Sequence, residues 1–343
     1  MSKFVVGITG HSGFIGTHLV ERLSREQNID ILTLEDTCLK KEAVKADCIV
    51  YLSDNIKLAK ALIANLDAAG RKNCHIICWS GAQEIFKAWG KRSGAPVSLL
   101  TVPCVYGDRD RPFSNSIVAT FCYQLARGEE PKIIEDQELE LIYINELTEI
   151  IYQKINLPPK GVERVTINGT KKITAFTLLS ILQEFKAQFS SNRIIPALNE
   201  TFLVNLYAVF LSYLDYDDLV FSPEVKADKR GELFELIKST QSGQIFFSTS
   251  RPGVIRGDHY HTRKIERFCV LKGNASIRLR RVGTEEIKEY KISGVKPAFV
   301  EIPAFHAHHI ENTGNDDLFT LFWCNELYNP ANPDTYPEEV YQN

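Results

Sequence analysis

Two histidines one residue apart, His259 and His261, are followed by Glu266, and a further imidazole stands at His308. Side chains alternate along a strand, so His259 and His261 share a face. If that strand runs on, Glu266 is expected on the same inward face. Two or three imidazoles and one carboxylate from separate strands form a nitrogen/oxygen site for a borderline divalent ion, zinc first among them. Such a site holds a Lewis acid. A second chemistry is written near the start. Gly10-His-Ser-Gly13-Phe14-Ile15-Gly16 lies between the apolar run Phe4–Thr9 and the helical spacing of Thr17–Leu23. There the first glycine permits a tight turn, the second lets backbone approach a pyrophosphate, and the third lets helix pack on strand. The helix N-terminus then offers unpaired N–H groups to phosphate. Ile31-Leu-Thr-Leu-Glu35-Asp36 ends a second strand in acids, placed for a ribose 2′-hydroxyl and against a 2′-phosphate, which favours NAD over NADP.

These residues need two kinds of scaffold. In the first half, apolar runs at Asp47–Leu52, His75–Trp79 and Val97–Val102 alternate with helical patterns at Ile56–Ala69 and Gln83–Lys91. That alternation predicts a doubly wound parallel α/β sheet. Helices are expected at 174–189 and 201–214. Beyond Asp215 the pattern changes to short β-rich runs at 244–249, 268–271, 275–280, 298–302 and 318–323, spaced as in an all-β jelly roll. The expected domains are therefore 1–225 and 226–343.

The chain has 343 residues, enough for two cores, and a net charge of −3, which gives no electrostatic case for nucleic acid or an anionic membrane. No apolar run reaches membrane-spanning length. The eight cysteines are scattered through apolar stretches without a C-x-x-C pair, as reduced core thiols are. Met1-Ser-Lys leads straight into the first strand and glycine loop, so a cytoplasmic protein without a signal peptide is expected.

The glycine loop, the Ala46-Asp47 strand and the Pro103-Cys-Val-Tyr-Gly107 turn resemble the extended short-chain dehydrogenase/reductases, and Gly10, Gly13, Phe14, Ile15, Gly16, Glu35, Asp36 and Asp47 are the cofactor residues that this reading assigns. Those enzymes use a Tyr with a Lys four residues on as the proton donor. No Tyr-x-x-x-Lys occurs here before residue 250, and strand passes almost directly to helix at Trp79-Ser80-Gly81-Ala-Gln83. Gly253 to Gly273 matches the first motif of the cupin family, and Pro303, His308 and Asn312 match its second, with Phe305 in place of a glycine. That resemblance implies the ligands His259, His261, Glu266 and His308. The whole layout resembles the bifunctional capsular-polysaccharide enzymes of the CapF type, on Asn115–Tyr123, Arg230–Lys238, Gly253–Glu266, Ile302–Asn312 and Trp323–Tyr336. It implies a UDP-linked 4-keto-6-deoxy-N-acetylhexosamine, epimerised at C3 in the cupin and then reduced at C4 with NADPH, in a homodimer. Epimerisation is removal of a proton alpha to a ketone and its return on the other face. His306, Tyr336 and Tyr260 are candidate bases, and Arg256 is a candidate partner for a phosphate or oxyanion. Arg256 also matches an arginine of metal-free sugar epimerases, which leaves His259 open as a base instead of a ligand. Arg109 and Arg111 are candidates for a diphosphate. Three readings follow: an epimerase alone, a full epimerase/reductase, and a non-catalytic sugar-nucleotide-binding or assembly protein.

Overall fold

The chain divides into two compact units, Met1–Ser116 with Gln137–Thr174, and Ile117–Asp136 with Ala175–Asn343. The computed structural model describes residues 3–34, 42–79, 81–222, 226–228, 231–233, 238–239, 243–326 and 329–341. Glu35, Asp36, Ser80 and much of the 230–238 segment lie outside the described residues.

The first unit is built on a parallel sheet of β1 (Phe4–Thr9), β2 (Ile29–Leu34), β3 (Cys48–Tyr51), β4 (His75–Cys78), β5 (Val97–Thr101) and β6 (Val162–Thr166). Their spatial order is β2-β1-β3-β4-β5-β6. β3 and β4 are buried throughout, as strands covered on both faces must be. One core packs α2 (Ile56–Ala68) and α3 (Gln83–Ser93) against the sheet through Leu62, Leu66, Phe86 and Trp89. The other packs α1 (Phe14–Leu23) and α5 (Ile144–Asn156) through Leu19, Leu23, Leu147 and Ile151. The dinucleotide-binding order 3-2-1-4-5-6 has a further strand beyond the second. Here β3 instead pairs directly with β1, so the strand order reverses at β1. β4 and α3 are joined by only Trp79, Ser80, Gly81 and Ala82. β6, an edge strand with the mixed sequence Val-Glu-Arg-Val-Thr, was not expected from apolar runs.

The second unit begins with α4 (Ile117–Ala126) and continues through α6 (Ala175–Asn192) and α7 (Thr201–Ser212), all upstream of the expected 225/226 limit. Eight strands are then divided between two antiparallel sheets: β7 (Gln244–Ser250), β8 (Ile255–Tyr260), β9 (Glu266–Lys272), β10 (Asn274–Arg281), β11 (Ile287–Ser293), β12 (Phe299–Ile302), β13 (His306–Asn312) and β14 (Leu318–Cys324). One sheet has the order Val220–Phe221, β12, β9, β14, β7. The other runs β11, β10, β13, β8 and β15 (Tyr336–Pro337). The facing surfaces meet at rings: Phe268 of β9, edge-on to its neighbour Phe322 in the same sheet at 4.4 Å, lies edge-on to His308 of β13 in the other sheet at 5.6 Å. On the reverse of β9, buried Arg267 pairs with Glu301 and donates to the Arg193 carbonyl just past α6.

Candidate metal centre

The strand β8 is not regular. Its pairing with β13 shifts between Gly257 and His259, leaving Asp258 as an extra residue with φ 53°. Gly257 has φ +126°, and a Cβ there would lie 2.6 Å from the His308 carbonyl oxygen, so the bulge requires glycine. Its effect is directional. Arg256 faces Ile310 and His259 faces His308 across the ladder, so all four share the inward face. Unbroken alternation would have turned Arg256 away from His259.

His261, just past β8, and Glu266, at the start of β9, complete the cluster. The expectation of one continuous strand is corrected: the chain turns through residues 262–265, and Glu266 approaches from the facing sheet. Its odd spacing from both histidines suits this crossing, since an unbroken strand would have pointed it outward. One ligand atom each from His259, His261, Glu266 and His308 lies within 4.8 Å of all the others. Glu266 Oε2 stands 3.4 Å from His261 Nε2 and 3.2 Å from His308 Nε2.

The ring tautomers are set from behind. His261 Nδ1 donates to the Asp334 carbonyl at 2.5 Å, and His308 Nδ1 to the His306 carbonyl at 3.0 Å. Each neutral ring then presents an Nε2 lone pair inward, and both Nε2 atoms are buried without a hydrogen-bond partner. Two lone pairs beside a carboxylate repel unless a cation lies among them. The donor set and these orphaned atoms therefore fit a divalent ion of the zinc class. In the ion's place a proton serves the same electrostatic need. Burial alone would lower the His261 pKa, yet Glu266 raises it. Burial would likewise raise the Glu266 pKa, but the adjacent His261 and His308 rings hold it well below the carboxylate range. His259 is pushed down to about 4 by burial and by His308 and His261, so it is neutral near pH 7.

The other candidates are placed as follows. The Arg256 Nε donates to Ser250 Oγ at 2.9 Å and Nη2 to the Thr249 carbonyl at 3.2 Å. His306 shares the face of His308 but is outside the cluster, about 7 Å further along the strand. It is buried with the Tyr216 ring edge-on at 5.4 Å. Tyr336 pairs with Tyr260, rings 5.3 Å apart, and Tyr260 alternates with His259. Both tyrosines are thus on the face turned away from the ligands, a correction to their candidacy as bases. Asp334 carried no signal of its own in the sequence. It is 2% exposed, and its carboxylate accepts from Thr262, Arg263 and Lys264.

In the first unit, Gly10 and Gly13 lie in the loop at the C-terminal end of β1, and Phe14, Ile15 and Gly16 form the first turn of α1. Gly10 has φ +65°, and a Cβ on Gly16 would lie 2.2 Å from the Gly10 oxygen. α1 starts without a side-chain cap or an acid in its first turn, which fits a phosphate. Asp47 is corrected. It precedes β3, at the opposite end of the sheet, where its carboxylate accepts from Val5 N at 3.0 Å and from Arg71 at 3.3 Å. Arg109 is likewise committed, bidentate to Glu21 at 2.5 and 2.7 Å. Among the described residues, no helix is long and apolar enough to cross a membrane.

Comparison with known proteins agrees with this two-part layout. Residues 226–336 match the polysaccharide biosynthesis C-terminal domain. The chain is 29% identical to the UDP-2-acetamido-2,6-beta-L-arabino-hexul-4-ose reductase of Pseudomonas aeruginosa, over 96% of this chain and 97% of that one. It is 31% identical to the capsular polysaccharide assembling protein CapF of Staphylococcus aureus, covering 98% of this chain and all of that one, with a TM-score of 0.63. Fold and site thus define a two-part polysaccharide-biosynthesis protein, with a parallel α/β unit ahead of an antiparallel β unit. Within that class, the chain belongs to the CapF family.

Proposed function

We propose that this chain is a sugar-nucleotide 3-epimerase whose chemistry resides in its second, cupin-like unit. It is a nucleotide-sugar-modifying enzyme of polysaccharide synthesis, as its full-length relatives support. The substrate in this reading is a UDP-4-keto-6-deoxy-N-acetylhexosamine. The observation that carries it is the convergence of three imidazoles on one buried carboxylate.

A divalent ion held by His259, His261, Glu266 and His308 would supply Lewis-acid stabilisation of negative charge on a substrate oxygen. The protein's own residues do the rest. Carbonyls of Asp334 and His306 hold two rings with Nε2 inward. Phe268, edge-on to His308 at 5.6 Å and backed by Phe322, sets an apolar ring beside the cluster. Arg256, brought to the ligand face by the bulge, retains donors beyond Ser250 and Thr249 for a phosphate or oxyanion. His306 is the remaining base candidate on the ligand face. The alternative keeps His259, the least buried of the four, as a neutral base in an ion-free site.

In the first unit, Gly10, Gly13, Phe14, Ile15 and Gly16 would hold a dinucleotide's pyrophosphate, and such a cofactor supplies hydride. The four-residue link between β4 and α3 and the lack of a Tyr-x-x-x-Lys leave no proton donor of the usual kind. The name of the P. aeruginosa relative favours a second reading, in which this unit also reduces the 4-keto group. Consumption of NADH or NADPH with the 4-keto sugar nucleotide decides between them: none is expected. The family resemblance supports a cytoplasmic homodimer, with a mass measurement in solution as its test.

A further inference from the structure

Residues 332–341 bear no ligand, yet they grip the bulge before His259 and the turn that joins His261 to Glu266. At one end, the backbone oxygen of Asp334 takes the His261 Nδ1 proton. Its carboxylate accepts from Thr262 N at 3.2 Å, Thr262 Oγ1 at 2.6 Å, Arg263 N at 2.9 Å and Lys264 N at 2.8 Å. One buried carboxylate thus takes the backbone donors of three successive residues in the turn joining His261 to Glu266. At the other end, Glu338 N donates to the Asp258 carbonyl at 3.0 Å and Val340 N to Asp258 Oδ1 at 3.2 Å. Asp258 is the extra residue of the bulge that aims His259. Between these anchors, β15 lies along β8, with Pro337 beside His259.

We propose that this segment is a strap that presets the His259–His261 pair for its ion, with Asp334 as its positioning residue. The inference rests on the metal reading above. Without the strap, the backbone donors of residues 262–264 lose their common acceptor, and His261 loses the carbonyl that fixes its tautomer. Ligand geometry would then be recovered only at the expense of ion affinity.

The test is cobalt(II) titration of the full chain, following both affinity and the visible absorption of the bound ion. Asp334→Asn keeps the carbonyl bond to His261 but sets an amide NH₂ against backbone donors. It is expected to weaken cobalt binding about 10–100-fold and to change the band shape. Thr262→Val, nearly isosteric, removes one donor and should shift both readouts the same way by less. Glu286→Gln, at an exposed position outside the strap, should leave both unchanged. If the wild type takes up no cobalt, the metal reading itself falls. If the wild type binds and Asp334→Asn matches it in affinity and spectrum, the strap falls alone. Should Asp334→Asn fail to fold, an unaltered affinity and spectrum in Thr262→Val overturns the strap.

Discussion

Glu266→Gln isolates the electrostatics of the cluster with little change in shape. Glu266 is 8% exposed and is the only carboxylate among the four clustered residues. The amide keeps the volume but presents a neutral group to an ion surrounded by neutral rings. Breaking a buried charge pair by removing one partner costs about 3–5 kcal/mol. With a factor of ten for each ~1.4 kcal/mol, zinc affinity should fall about 10²–10⁴-fold. Competition against a chromophoric chelator near neutral pH measures this directly. The zinc-free protein offers an independent check. Burial opposes protonation of His261, but Glu266 outweighs it and the folded pKa lies above the ordinary 6.5. That raised pKa adds stability to the ion-free fold which is full below about 6.5 and lost as pH rises through the folded value. In Glu266→Gln this pH dependence should flatten. Unchanged zinc affinity together with an unchanged pH profile would refute the assignment of Glu266 as the charge that organises the site.

Gly257→Ala should destabilise the second unit by about 1–3 kcal/mol and weaken zinc binding, because the bulge that aims His259 cannot accept a Cβ. Gly253→Ala, with φ +73° but no atom within 4 Å of the added Cβ, should show the backbone cost alone and bind zinc normally; equal zinc binding by both variants would contradict the role given to the bulge. In the first unit, His75 is pushed down to about 4, chiefly by burial. Its folded pKa is depressed, so the neutral ring contributes stability above about 6.5 that is lost as pH falls through 4, at most about 3 kcal/mol. Denaturant unfolding of wild type and His75→Gln across that range should show the slope in the first and its reduction in the second.

That His259, His261 and His308 come together was legible because alternation is simple: His259 and His261 flank one outward residue, and His308 sits on a strand that pairs directly opposite, whereas the approach of Glu266 from the facing sheet was not. The glycine loop was legible for the same reason, since close packing at Gly16 leaves no choice of residue. What escaped reading depends on contacts that leave no local pattern. The Asp258 bulge inserts a residue without changing composition, and it reverses the face of Arg256. Asp334 acts about seventy residues from the turn it fastens, in a loop with no period. Asp47 stood at the right strand but the wrong end of it, because a motif names a strand and not the direction in which its carboxylate is used. Tyr336 was plausible by type alone, and only its pairing with Tyr260 shows that it faces away.

The central claim is that a cation in the second unit promotes loss of a proton at C3 of a 4-keto sugar nucleotide, without help from a reductase. The direct measurement is deuterium incorporation at C3 in D₂O, by NMR, with zinc-loaded and chelator-stripped protein and no nicotinamide present. Wash-in is expected with the loaded protein, with its loss on stripping and in His261→Ala, and its return on adding zinc back to the wild type. Wash-in that survives stripping, or none in the loaded protein, would contradict it.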